Sequence, residues 1–130
     1  MTGGEEYGAR RVRTAPPTAG TKYDGEKPPL ALLPTRALDA VGRVLAFGAK
    51  KYKAHNWRGG IQYSRLTSAA LRHVFSFLQG EDNDPESGES HLAHAACCVL
   101  FALEFVCEGR TDLDDRHRQA AKTPGPYSNT

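Results

Sequence analysis

Three segments of the chain carry apolar residues at steps of three and four, which is the spacing of one face of an α-helix. They predict helices over about 35–53, 64–79 and 91–108. Polar stretches containing glycine or proline separate these segments, and no stretch of any length alternates in the manner of a strand. The residues that suit the helix N-caps are Thr35, either Ser64 or Thr67, and Ser90.

The third segment has the most regular apolar pattern. Its steps run three, four, three and four through Leu92, Ala95, Val99, Ala102 and Val106. This pattern is typical of a helix in an antiparallel bundle. We therefore predict an all-α fold, a small antiparallel bundle of three main helices. Three such helices leave much apolar area for a monomer to expose, so we expect a homodimer or higher homo-oligomer to complete the bundle.

The parts outside the helices differ in character. Residues 1–20 are rich in Gly, Thr, Pro and Arg and are predicted to form a flexible arm. Residues 21–34 contain a Pro-Pro pair and three leucines, which predicts an extended segment packed on the domain through Leu30, Leu32 and Leu33. The helical domain is expected to span 21–109. Residues 110–130 read as a loose polar tail, with a short helix near 112–121 as one alternative.

Composition limits the class of protein. The 130 residues suit one domain, and 39% hydrophobic with 25% charged residues indicates a globular chain. The net charge of +2 argues against a stable nucleic-acid partner or a polybasic membrane binder. No apolar run approaches the roughly 18–20 residues that span a bilayer, and the N-terminus lacks the apolar core of a secretory signal. Three cysteines, two of them adjacent, fit a reducing cytoplasm.

The charge is unevenly distributed along the chain. Residues 1–60 carry +6 and residues 61–130 carry −4. A basic half and an acidic half suit a polyanion held by a metal ion. Pairing between the halves, or plain solvation, explains the same distribution.

Histidines and carboxylates concentrate around the loop between the second and third helices. His91, His94 and Cys98 are spaced i, i+3 and i+7, which places them on one stripe of the third helix. We expect His73, on the facing helix, to meet them at one end of the hairpin. Imidazoles suit transition metals and carboxylates suit Mg²⁺ or Mn²⁺. The alternatives are core histidines, a solvated loop and a core-filling Cys98. The loop carboxylates are Glu81, Asp82, Asp84, Glu86 and Glu89.

Cationic and aromatic residues form a second group around the first helix. Lysines can hold phosphate oxygens, an aromatic ring can stack on a base, and Asn56 can read the edge of that base. We assign the stacking to Tyr52 or Trp57. The alternative is a basic helix C-terminus favoured by the helix dipole, with Trp57 packed on the core. The candidate substrate-binding residues are Lys22, Asp24, Lys27, Lys51, Tyr52, Asn56 and Trp57.

Six short strings of the sequence form a recognisable set: GTKYDGEKPPLALLP (20–34), FGAKKY (47–52), NW (56–57), ALRH (70–73), GEDNDPESG (80–88) and HLAHAAC (91–97). Together they resemble a phage family named for the N-terminal domain of a dATP/dGTP diphosphohydrolase. The resemblance covers about residues 20–107. It implies cleavage of a purine deoxynucleoside triphosphate to the monophosphate and pyrophosphate, and hence control of a phage nucleotide pool.

The implied chemistry is similar to that of the MazG-like all-α pyrophosphohydrolases, which hold Mg²⁺ with E-x-x-E and E-x-x-D pairs on two helices. This sequence departs from that pattern. Its third helix offers His91 and His94 where carboxylates are expected, and its second helix has His73 and no glutamate pair. The carboxylates lie in the loop instead, so the resemblance leaves the mode of metal binding open.

From these residues we predict a nucleotide hydrolase that uses Mg²⁺ or Mn²⁺, with Zn²⁺ less favoured. The predicted metal ligands are Glu81, Asp84, Glu86, His91 and His94, and the predicted catalytic residues are Glu86, His73 and Asp84. Two alternatives stay open. One is a protein that binds or sequesters a nucleotide without cleaving it. The other is a structural zinc domain built on His73, His91, His94 and Cys98.

Overall fold

The computed structural model describes residues 20–118, and the chain divides into two compact units, Met1–Leu32 and Leu33–Thr130. In the first unit, Leu30–Leu32 form a single 3-10 turn in which the amide of Leu32 donates to the carbonyl of Pro29 at 3.0 Å. Leu30 and Leu32 are exposed. The expected extended segment with buried leucines is therefore wrong here, because the chain turns directly after the proline pair. The predicted arm lies outside the described residues except for Gly20.

The second unit is built from three α-helices, which we number α1 (Thr35–Lys51), α2 (Tyr63–Leu78) and α3 (His91–Cys107). Short 3-10 turns occupy Asn56–Gly59 and Thr111–Leu113. Between residues 20 and 118 there is no strand, and a single isolated bridge joins Asn83 to Ser90. The all-α prediction is confirmed.

The helix ends agree with the sequence pattern to within two residues. Ser90 is the N-cap of α3, as predicted, and its hydroxyl accepts from the amide of Leu92 at 3.1 Å. Thr35 is not a cap. It is the first residue of α1, and the N-cap is Pro34, which has no side-chain acceptor to offer. The second helix begins at Tyr63, just before the predicted Ser64.

The helix α3 lies at the centre of the unit and packs against both α1 and α2. One core cluster joins α1 to α3, and a second joins α2 to α3 around Phe105, which is fully buried. Phe101 packs against both clusters. Because His73 near the end of α2 meets His91 at the start of α3, these two helices run antiparallel. The buried members are Val41, Val44, Ala93 and Cys97 in the first cluster, and Tyr63, Leu66 and Phe105 in the second.

The predicted apolar seam of α3 is largely on the outside. Leu92, Val99 and Val106 are 46%, 53% and 55% exposed, whereas Ala95 is buried. Glu104 is the only charged residue of α3 apart from its histidines, so the pattern cannot tell one face from another. Contacts with α1 and α2 decide the face instead. We call Leu92, Val99, Leu103 and Val106 the outer face of α3.

The chain after α3 is ordered against the start of α2 as far as Asp115. The Tyr63 hydroxyl donates to the carbonyl of Arg110 at 3.1 Å, and the Asp115 carboxylate accepts from the amide of Ser64 at 2.8 Å. Leu113 packs on the second core cluster. The expectation of a loose tail from residue 110 is therefore wrong for this stretch. Within it the only helical element is the turn at Thr111–Leu113, and residues 119–130 lie outside the described part.

None of the helices within residues 20–118 has both the length and the apolar character needed to cross a membrane.

Candidate functional site

The acidic loop, residues 81–90, is folded by its own hydrogen bonds. The amide of Asp84 donates to the carbonyl of Glu89 at 2.8 Å, and the amide of Gly88 donates to the carbonyl of Asp84 at 2.7 Å. Gly88 has φ +75°, a left-handed conformation that glycine adopts without strain. The Asp84 carboxylate also accepts from the amide of Glu86. These bonds hold the Asp84 side chain, 18% exposed, in a fixed direction beside α3.

Three histidines stand together next to this loop. The Nδ1 atoms of His73 and His91 lie 2.8 Å apart, so they share a hydrogen bond between α2 and α3. The other ring nitrogen of His91, Nε2, lies 2.7 Å from Glu81 Oε1. The rings of His73 and His94 are stacked, with centroids 4.6 Å apart and 12° between the planes.

His94 connects the histidines to the loop. Its Nε2 is 2.6 Å from the Ser87 hydroxyl and 3.5 Å from Asp84 Oδ2. One potential ligand atom from each of His73, Asp84 and His94 lies within 4.8 Å of the other two. We call these three residues the His–Asp–His cluster. It is the one group of at least three His, Cys, Asp or Glu donors in the described chain that is close enough to hold one metal ion.

The predicted metal ligands are only partly brought together. Asp84 and His94 are in the cluster, whereas Glu81 and His91 pair with each other at its edge. The fifth, Glu86, lies outside the cluster and accepts from the Lys51 ammonium at 2.7 Å. His73, predicted as a catalytic residue, is a cluster member. Cys98, which the structural zinc alternative requires, does not belong to this donor group.

Burial lowers the pKa of both His73 and His94. For His73 the neighbouring His94 lowers the pKa further, and for both rings the Asp84 carboxylate opposes the shift. Desolvation disfavours the charged imidazolium, so both rings favour the neutral state in which one nitrogen keeps its lone pair. A neutral imidazole is the form that binds a metal.

The cluster opens onto a cleft of about 820 Å³. Its polar end contains His73, Asp84, His94, Glu86 and Lys51, and its other walls include Phe101 and aliphatic residues of α1. This volume is in the range of clefts that bind small molecules and cofactors. The cleft therefore combines an apolar wall with converging imidazole, carboxylate and ammonium groups at one end.

Four of the predicted substrate-binding residues line this cleft, and the other three belong to the first unit. Lys51, Tyr52, Asn56 and Trp57 are lining residues. The Trp57 ring is stacked on Phe101, with centroids 4.1 Å apart and 10° between the planes. Its packing therefore matches the alternative in which Trp57 covers the core. Tyr52 is 65% exposed. The residues of the first unit are Lys22, Asp24 and Lys27.

Two residues of the site were not among the sequence candidates. Ser87 contacts His94, and Phe47 lies edge-on to the same imidazole, with centroids 6.4 Å apart. The signal for Ser87 was its place in the turn D-P-E-S-G, where a hydroxyl folds back on neighbouring groups. Nothing in the sequence distinguished Phe47 from an ordinary apolar residue of α1.

The fold and the cleft define a small all-α domain with a candidate metal and small-molecule site between its helices. The chain belongs to the family "dATP/dGTP diphosphohydrolase, N-terminal", whose model matches residues 17–116. No solved structure matches the chain.

A relative from Salmonella phage PMBT28, named dATP/dGTP diphosphohydrolase, is 41% identical over 106 residues. The match covers 82% of this chain and 36% of the relative. The chain thus spans about a third of the relative's length.

Proposed function

We propose that this chain hydrolyses dATP or dGTP to the nucleoside monophosphate and pyrophosphate with the help of a divalent metal ion. The observation that carries this proposal is the cleft in which the His–Asp–His cluster lies near Lys51 and Glu86. Membership of the family and the name of the phage relative support the same reaction. A role in the nucleotide pool of a phage-infected bacterial cytoplasm follows from this proposal.

In the proposed reaction water adds to the α-phosphorus of the nucleotide, and the bond from that phosphorus to the bridging oxygen breaks. Pyrophosphate leaves. Lys51, an ammonium at the polar end of the cleft, neutralises phosphate oxygens. Glu86, the carboxylate beside it, accepts a proton from the attacking water. Proximity of an acceptor and a cation to one phosphate is the arrangement that this displacement needs.

The base of the nucleotide is proposed to bind against Tyr52, the exposed aromatic ring of the cleft, with Asn56 reading its edge. Trp57 supports the wall rather than the base, because Phe101 already covers one of its faces. Lys22 and Lys27 stay predicted phosphate contacts, and Asp24 stays a predicted substrate-binding residue.

The residues of the cluster fit a divalent cation. The proposed ions are Mg²⁺ or Mn²⁺, and the proposed ligands in this chain are His73, Asp84 and His94. The chemistry that a bound divalent cation supplies is neutralisation of phosphate charge and activation of water. Asp84 and Glu86 are the two residues that the sequence predicted both as ligands and as catalytic residues, and of these only Asp84 belongs to the cluster.

We also propose self-association through the outer face of α3. A helix that is apolar on all sides is normally covered on all sides, and α1 and α2 cover only part of α3. A second copy of the chain presents the same apolar surface, so in a symmetric dimer each copy can cover the outer face of the other.

A nucleotide panel tests the hydrolysis. Each standard NTP and dNTP is incubated with the pure protein and Mg²⁺ or Mn²⁺, and the products are separated by chromatography. Monophosphate with pyrophosphate from dATP or dGTP is the expected result. Protein prepared in the same way with Glu86→Gln controls for contaminating hydrolases.

The second candidate is a protein that binds the nucleotide and releases it intact. The observation that favours it is the absence of any carboxylate on α2, the helix that carries His73. Intact nucleotides across the whole panel, with retention of one of them by the protein, would replace hydrolysis by sequestration.

A further inference from the structure

Three side chains form a continuous hydrogen-bonded chain that ends at the His–Asp–His cluster. It runs from Glu81 in the loop to His91 at the start of α3, and from there to His73 on α2. The two distances are 2.7 Å and 2.8 Å. His91 is 4% exposed, whereas the side chain of Glu81 is 51% exposed. The chain therefore leads from solvent through a buried imidazole to a ligand of the candidate site.

The chemistry of each partner decides where the protons lie. An ionised carboxylate only accepts hydrogen bonds, so His91 must donate from Nε2 to Glu81. A neutral His91 then has an unprotonated Nδ1, which accepts. The bond between the two Nδ1 atoms therefore requires His73 to donate from its own Nδ1. His73 is left with an unprotonated Nε2.

We propose that Glu81 and His91 are positioning residues that hold His73 in the tautomer with a free Nε2, and that His73, Asp84 and His94 thereby bind a divalent transition-metal ion in preference to Mg²⁺. Histidine ligands of metals commonly donate their second ring N–H to such a partner, which fixes the tautomer and the ring orientation. Here that partner is a second histidine, itself held by a carboxylate.

The donor set determines the preferred ion. Two imidazole nitrogens and one carboxylate oxygen suit Zn²⁺, Co²⁺ and Mn²⁺. Mg²⁺ favours oxygen donors in near-octahedral geometry and retains its waters, so two nitrogen donors disfavour it. Affinity is expected to be higher for Co²⁺ than for Mn²⁺. Mg²⁺ is expected to bind more weakly than Zn²⁺, Co²⁺ or Mn²⁺. Glu81 and His91, predicted from sequence as ligands, act instead through His73.

The inference rests on the proposed function only for what the bound metal ion does in the reaction. The experiments that test metal binding and the His73 tautomer use no nucleotide. Long-range ¹H–¹⁵N NMR of the imidazoles in metal-free protein reports which nitrogen of His73 carries the proton. Protonation at Nδ1 is the expected result, and protonation at Nε2 would overturn the assignment. In the Glu81→Gln variant, the preference of His73 for the Nδ1–H tautomer is expected to weaken, which loss of a purely structural contact would not produce.

Metal titration gives the second readout. Calorimetry with Zn²⁺, Mn²⁺ and Mg²⁺, and visible absorption with Co²⁺, measure affinity and ligand environment. His94→Ala is expected to abolish stoichiometric binding. Glu81→Gln is expected to keep the stoichiometry and weaken affinity about 10- to 100-fold. Because Glu81 is half exposed, this variant tests the hydrogen-bonded chain from Glu81 to His73 without replacing the buried His91. Glu108→Gln, an exposed glutamate after α3, is the matched control.

The outcomes separate the two proposals. Zn²⁺ binding no tighter than Mg²⁺ binding, or equal Zn²⁺ affinity in Glu81→Gln and the parent protein, overturns the inference even if nucleotides are hydrolysed. Tight Zn²⁺ binding that depends on Glu81, with no nucleotide cleaved under any metal, supports the inference and leaves the proposed hydrolysis wrong.

Discussion

The Lys51 ammonium donates to the Glu86 carboxylate across 2.7 Å, which joins the last turn of α1 to the acidic loop. The two residues are separated by 35 positions in the sequence. The hydrogen bond to the Glu86 carboxylate raises the pKa of Lys51 above its usual value, and desolvation opposes part of that shift. Lys51 therefore stays positively charged at the polar end of the cleft, where in the proposed reaction a phosphate takes the place of the carboxylate.

Replacement of that carboxylate tests the proposed catalysis. Glu86→Gln is expected to lower kcat by about 10²–10⁴-fold, because the amide cannot accept the proton of water. The melting temperature should stay unchanged, since an exposed ion pair contributes little stability. Glu89→Gln is the matched control, because Glu89 lies in the same loop and pairs with Arg43 rather than Lys51. Unchanged hydrolysis in Glu86→Gln would remove this residue from the mechanism.

The two aromatic candidates for base stacking should respond differently to truncation. Tyr52→Ala is expected to raise KM for the nucleotide and leave the free energy of unfolding nearly unchanged, because the ring is mainly exposed. Trp57→Ala removes a ring stacked on Phe101 and should cost about 3 kcal/mol of stability. Steady-state kinetics and urea unfolding of both variants distinguish the roles. A stable Trp57→Ala protein with a raised KM would assign the base to Trp57 instead.

The elements that the sequence predicted well are those set by local pattern. The three helices and the Ser90 cap follow from residue spacing and from capping chemistry within a few positions. The core face of α3 does not follow, because a helix with apolar residues on every side has no preferred face until its neighbours are known. Leu92, Val99 and Val106 were assigned inward for this reason and are exposed.

The residue types of the candidate site could be predicted from the sequence, but the hydrogen bonds between them could not. The spacing of His91 and His94, and the carboxylates before them, pointed to the correct end of the hairpin. Which nitrogen contacts which partner depends on how α2 is rotated against α3. That rotation turns His91 toward His73 and Glu81, and leaves His94 to face Asp84.

The turn at Gly60 is expected to tolerate no side chain. Its φ is +118°, and an added Cβ would lie 2.9 Å from Arg110 Nη2 and 3.2 Å from a Leu113 methyl group. Gly60→Ala should therefore destabilise the domain by about 1–3 kcal/mol in chemical unfolding. Gly59→Ala is the control, because its added Cβ meets nothing within 4 Å and its φ is not in the positive range. Equal stabilities of the two variants would contradict the packing of Leu113 at this turn.

The thiol of Cys97 should resist alkylation in the folded protein. Burial raises the pKa of Cys97 to about 12, so at pH 8 the thiol stays protonated and the reactive thiolate is rare. Because protonation neutralises the reactive thiolate, the rate of alkylation should rise with pH and stay low at pH values well below the pKa of Cys97. Peptide mapping after iodoacetamide treatment measures the modification, with urea-unfolded protein as the control. Rapid labelling of Cys97 in folded protein at pH 8 would contradict its burial between α1 and α3.

The exposed outer face of α3 predicts that the protein self-associates in solution. Val99 and Leu103 are 53% and 52% exposed at the middle of a helix whose composition is that of a buried element. Light scattering should therefore find at least twice the mass of one chain. A charge on this face opposes association because its desolvation is not compensated, so Val99→Lys should give a monomer. Leu30→Lys, at an exposed leucine of the first unit, should leave the mass of the assembly unchanged. A monomeric parent protein would show that α3 keeps this apolar face in solvent.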